Sequence, residues 1–160
     1  MSIYLAGPAG FTEAGRIHHR EVVVPAVRNA GFEVLDPWAD QGPIGGPPSA
    51  ASSAEHLAAL RELNLSIGRR NAEMIRQCTG VLADLDGPDV DSGTAAEIGY
   101  AAALRRPVVG FRTDSRCSGD NAASTVNLQI EWFIAESGGV LTDSPAEAVR
   151  ELRRILPAAG

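Results

Sequence analysis

The strongest constraint on this chain is an alternation. Five times, a short apolar run is followed by a longer stretch with helical character. "SIYLAG" (2–7) is stopped by Gly-Pro and reads as a buried strand. Residues 13–30 carry Ile17, Val24 and Val27 near helical spacing, and Gly31 is a natural stop, so one helix is expected there. "FEVLDP" (32–37) is the second strand, and 54–77 is a helix expected to break around Gly68. "GVLADLDG" (80–87), "RPVVGFRT" (106–113) and "GVLTD" (139–143) complete the strands. Helices are expected at 94–105, 125–137 and 145–156, the last opened by "DSP" with proline near its first position. Strand–helix alternation of this kind folds as α/β with right-handed crossovers. The expected architecture is a three-layer sandwich around a five-stranded parallel sheet, Rossmann- or flavodoxin-like, as one domain over 1–160. Ligands of such folds sit beyond the carboxyl ends of the strands, near the point where strand order reverses.

Composition narrows the function classes. The 160 residues suffice for a real core. A net charge of -6 leaves no basic surplus for neutralising phosphates, which argues against a nucleic-acid partner. The start, "MSIYLAGPAG", lacks the basic region of a signal peptide, and no apolar run reaches the length of a membrane span. A cytoplasmic protein without membrane contact is expected. Cys78 and Cys117 are far apart and form no CxxC, so both are expected as reduced thiols. His18, His19 and His56 lack metal-ligand spacing, and neither metal nor cofactor is expected.

The loops after the first three strands carry "AGPAGF", "DPW" and "DGPDVDSGT", and the site is expected where they meet. The long Gly/Pro/Ser-rich stretch 38–53 has the length of a lid or binding loop. Glu97 has two readings. Thr94-Ala95-Ala96-Glu97 fits a capping box, with Thr94 as N-cap and Glu97 reaching back to its amide. Yet the helix follows a strand end and a glycine-containing loop, which sets Glu97 at the ligand edge with Asp91 six residues ahead. Paired carboxylates divide labour when their surroundings separate their pKa values, and a carboxylate attacking an anomeric carbon cleaves glycosidic bonds. Asp91 is also a turn former, and Asp36, at the end of the second strand, is placed either to contact ligand or to open a turn. Trp38 either stacks on a base or anchors its loop.

Four segments carry a family resemblance: "IYLAGPAGF", "RRNAEMIRQCTGVLADL", "DSGTAAEIGYA" and "VNLQIEWF". Together they resemble the nucleoside 2-deoxyribosyltransferase family, from the first strand to the 125–137 helix, and the third is the most specific. The resemblance implies that Glu97 attacks C1′ of a 2′-deoxynucleoside, forming a deoxyribosyl-enzyme ester. It implies that Asp91 binds the base and helps protonate it as it leaves, and that Tyr4 and Phe11 line the nucleoside pocket. Gly7 and Gly93 count among its substrate-contacting positions, as does Asp36. Asn71 would touch the base or the pocket edge; many family members carry an aspartate there, and an asparagine cannot serve as an acid. Asn127 would come from a neighbouring subunit to bind the sugar 5′-hydroxyl or orient Glu97, which implies a homo-oligomer. The partners implied are 2′-deoxynucleosides and free purine or pyrimidine bases.

Local structure offers plainer roles for several of these residues. Asn71 and Asn127 suit helix caps, and Tyr4 and Phe11 suit a core. Two other functions fit the same pattern. A nucleotide N-glycohydrolase would need a 5′-phosphate site, and "AGPAGF" offers no nearby Ser or Arg. A non-catalytic nucleotide-binding module would use Glu97 only as a cap and would keep its ligand when Glu97 is removed.

Overall fold

A computed structural model of the chain describes residues 1–39 and 53–157. Five parallel strands form one sheet in the order β2-β1-β3-β4-β5: β1 (Ser2–Ala6), β2 (Glu33–Leu35), β3 (Gly80–Asp84), β4 (Val108–Phe111) and β5 (Leu141–Thr142). This is the flavodoxin-like member of the two expected topologies, and it confirms the α/β class.

The central strands are apolar on both faces because both are covered. One face packs Tyr4, Ala6, Val81, Ala83 and Val108 against Ile75 of α3 (Ala54–Gln77), Ile98 and Ala101 of α4 (Ser92–Ala103), and Ile130 and Ile134 of α5 (Leu128–Glu136). The other packs Ile3, Leu5, Leu82, Val109 and Phe111 against Val23, Val24 and Val27 and against Ala148, Val149 and Leu152 of α6 (Pro145–Ile155). Alternate residues of each strand thus serve opposite layers. No helix among the described residues is long and apolar enough to cross a membrane.

Several expected boundaries move. The 13–30 helix is three pieces end to end: α1 (Glu13–His18), a π-helical turn (His19–Val23) and α2 (Val24–Asn29). Its cause is Pro25, which lacks an N–H and would collide with the carbonyl four residues back in a regular helix. The wider turn, closed by the Val24 N–H on the His19 carbonyl, absorbs the misfit. α3 does not break at Gly68, where a Cβ would meet nothing within 4 Å; one glycine costs a solvent-facing helix about 1 kcal/mol, too little to end it. α4 begins at Ser92 rather than 94. The strands are shorter than the apolar runs: all five end earlier, at the ligand edge, and β2, β4 and β5 also begin one or two residues later. Of the expected loop 38–53, residues 40–52 lie outside the described residues.

Candidate active site

Strand order reverses between β1 and β3, so the crevice expected of this topology opens beyond Ala6 and Asp84. Gly7 lies at this point. A Cβ there would stand 2.8 Å from the Asp84 Cβ, so the two strand ends approach as closely as they do because residue 7 has no side chain.

Glu97 lies on α4, above the end of β1. The side chain of Tyr4 leaves the sheet on the same face, and its hydroxyl donates to Glu97 Oε1 at 2.6 Å. Asn71 Nδ2, from α3, donates to the same oxygen at 3.4 Å. The other amide atom, Asn71 Oδ1, is buried without a hydrogen-bond partner among the described residues. Burial pushes the Glu97 carboxyl up to about 7; the Tyr4 and Asn71 hydrogen bonds pull it down, and the charge of Asp91 adds to the rise. Burial, with the Glu97 charge next in size, holds the Tyr4 hydroxyl firmly protonated, so it stays a donor. Both donors converge on Oε1.

The capping box is corrected here. Asp91, not Thr94, is the N-cap of α4: its Oδ2 accepts from the Thr94 backbone N–H at 3.0 Å and from the Thr94 hydroxyl at 3.3 Å. Thr94 is therefore in the third helical position, and Glu97 stands one turn further in, beyond reach of the cap amide. Freed from capping, its side chain points to Tyr4. Gly93, exposed in the first turn, lies close to the cap: a Cβ there would stand 3.0 Å from Asp91 Oδ2 and would press on it. Asn127 is the N-cap of α5, with Oδ1 accepting from the Gln129 N–H at 3.0 Å.

The other strand ends bring more polar groups to this edge. Asp36 Oδ2 meets His19 Nε2 at 3.0 Å, and its Oδ1 accepts from the Trp38 N–H at 2.9 Å. Burial alone would raise Asp36, but the His19 contact and the Trp38 bond outweigh it and leave its carboxyl below the usual range. The indole N–H of Trp38 donates to the Gly7 carbonyl at 3.1 Å. Phe11 is not core: it is 60% exposed, with its ring set edge-to-face on Trp38.

Three participants escape sequence reasoning. His19 lacks metal-ligand spacing and no local pattern marks it, yet the π-helical turn brings it to Asp36. Asp84 ends β3 with its carboxyl raised by burial, and its signal was an apolar run terminating in aspartate, the pattern that marked Asp36. Arg112, 5% exposed, donates to the carbonyls of Leu85, Gly87 and Arg116 and so ties the loop before α4 to the loop after β4.

Fold and site together define a class: a flavodoxin-like α/β domain with a partly buried, donor-held carboxylate at its switch point. Residues 3–129 match the profile described as Nucleoside 2-deoxyribosyltransferase, and the chain belongs to that family. A 2-desoxiribosyltransferase from Leishmania mexicana superposes with a TM-score of 0.66 at 26% identity, covering 96% of this chain and 97% of that one. A CMP N-glycosidase from Clostridium botulinum shares the fold, with a TM-score of 0.57 at 14% identity over 96% of this chain and 99% of its own. An uncharacterized protein of Schizosaccharomyces pombe is 30% identical over 118 residues, 71% of this chain. The chain spans about half the length of that curated relative, at 51%.

Proposed function

We propose that this protein exchanges the base of 2′-deoxyribonucleosides by double displacement through a deoxyribosyl ester on Glu97, with hydrolysis as a side reaction. The observation that carries this reading is the convergence of Tyr4 and Asn71 on Glu97 Oε1. It orients the carboxylate and leaves Oε2 as the attacking atom. Oε2 bonds to C1′ as the C1′–N bond breaks, and the electron pair of that bond leaves with the base, which takes up a proton. A second base then attacks C1′, giving up its ring N–H proton to the group that protonated the first, and expels the Glu97 carboxylate, so configuration is retained. The transition state resembles an oxocarbenium ion, which the ionised carboxylate stabilises and which forms more readily without a 2′-hydroxyl. No cofactor enters these steps.

Asp91, whose charge acts on Glu97, would bind the base and assist its protonation, and Asn71 would line the base side. Asn127 of a neighbouring copy would complete the sugar site in a homo-oligomer, the setting being cytoplasmic nucleoside salvage. Water in place of the second base gives the hydrolytic side reaction.

The test is to incubate wild type and Glu97→Ala with a 2′-deoxynucleoside, with and without a second base, and to separate the products by chromatography. A new deoxynucleoside that forms only with wild type and the second base is the expected result, with Glu97→Ala slower by at least roughly a thousandfold. Free base and deoxyribose alone would assign a hydrolase. No turnover of nucleosides or nucleotides by wild type would refute the enzymatic reading.

A further inference from the structure

The segment after β2 is tied down more heavily than a connection requires. Asp36 holds the Trp38 backbone and is itself met by His19. Arg70 of α3 donates to the Pro37 carbonyl at 2.8 Å. The indole of Trp38 is thereby fixed, and it acts on the loop after β1 at three points. Its N–H holds the Gly7 carbonyl at 3.1 Å. Its six-membered ring fills the space beside Gly10, where a Cβ would stand 2.0 Å from Cε3 and Cζ3, so only glycine admits the indole. Its third contact is Phe11, with ring centroids 5.3 Å apart and planes at 80°. Arg16 Nη1 closes the loop from the other side on the Gly10 carbonyl at 2.8 Å.

An exposed phenylalanine normally gains nothing from being held still. Here a perpendicular contact fixes the ring and still leaves a face of it open to solvent at the ligand edge. A flat heteroaromatic group is what such a face fits. We propose that Trp38 is a positioning residue that holds Phe11 as a stacking platform for the base of the ligand. This rests on the nucleoside reading of the site. Recognition by a π-face tolerates many bases, so the platform supplies base affinity more than base identity.

The test uses Phe11→Ala, Trp38→Ala and the double variant in the exchange assay, with thermal melts alongside. Each single variant is expected to raise the nucleoside KM about tenfold, the scale of one stacking contact, and to change kcat by less than about threefold because Tyr4 and Glu97 are untouched. The double variant is expected to be no worse than the worse single, since Trp38 acts through Phe11. An unchanged KM in folded Trp38→Ala, or additive effects, overturns the proposal. If Trp38→Ala does not fold, Trp38→Phe takes its place: it keeps a ring beside Gly10 but loses the bond to Gly7, and an intermediate KM is expected.

A second readout needs no turnover. The chain has two tryptophans, and Trp132 is 58% exposed on α5. In Trp132→Phe, emission excited at the red edge reports Trp38 alone, and titrations with adenine and with thymine are expected to perturb it, about tenfold more weakly in affinity when Phe11 is also alanine. A Phe11-dependent response from a protein that turns nothing over would keep this proposal while the transferase reading fails. Turnover with no Phe11-dependent response would do the reverse.

Discussion

Tyr4 is wholly buried in β1, and its single polar side-chain atom is spent on Glu97. A hydrogen bond to an ionised group is worth about 1.5–3 kcal/mol, roughly one to two pH units of carboxyl titration. The Tyr4 bond favours the charged carboxylate, so Tyr4→Phe removes a force that lowers the Glu97 value and lets burial raise it further. Wild type is expected to show an acid limb of kcat/KM near pH 7, with activity lost as pH falls and Glu97 takes a proton. In Tyr4→Phe that limb is expected to move up by about one unit. The loss would be large at pH 6 and small at pH 9, and a pH–rate profile measures it. A limb that stays put would mean that Tyr4 only fills space.

At the scale of elements, Asp91 combines a cap with a charge, and two substitutions separate them. Asp91→Ala removes the acceptor for the Thr94 N–H and is expected to cost about 1 kcal/mol in denaturant unfolding. Asp91→Asn keeps an acceptor and is expected to melt like wild type, yet to lose about a hundredfold in kcat if the acid assists the leaving base. Equal activity in Asp91→Asn would reduce Asp91 to its cap. This pair of roles also marks how far the sequence could be read. Periodicity and Gly/Pro stops revealed the elements because they are local, and the ligand edge followed from strand order rules. The capping frame slipped by three residues because Asp91, Ser92 and Thr94 are all competent caps, and only the backbone decides among them. The π-helical turn needed a steric argument about Pro25 that a hydrophobic pattern does not contain. Tyr4 and Glu97 stand 93 positions apart, so their bond belongs to the tertiary fold and no spacing announces it. Nothing local in the sequence separates stacking from anchoring for Trp38; the fold sets its indole on the Gly7 carbonyl and against Phe11.

The whole molecule carries a cost for its partly buried carboxylate. The Glu97 value rises from 4.5 to about 7 on folding, so between those pH values the folded chain holds more proton than the unfolded one. Stability from this group is therefore full below about pH 4.5 and is lost as pH rises through about 7. Glu97→Gln accepts the same hydrogen bonds and never ionises. It is expected to be inactive, to melt with wild type near pH 4, and to exceed it by about 2 kcal/mol, several degrees in Tm, at pH 8. Melting curves across that range check it; equal Tm values at pH 8 would mean that solvent relieves the charge. Glu97 is braced from inside the sheet by Tyr4 and from α3 by Asn71, whereas Phe11 and Trp38 sit on the connections that follow β1 and β2. On the proposed reading, bond cleavage falls to the braced carboxylate and contact with the base to the connections. Under that reading a lineage, or a designer, could redraft the connections and change the clientele while the carboxylate and its brace are inherited intact.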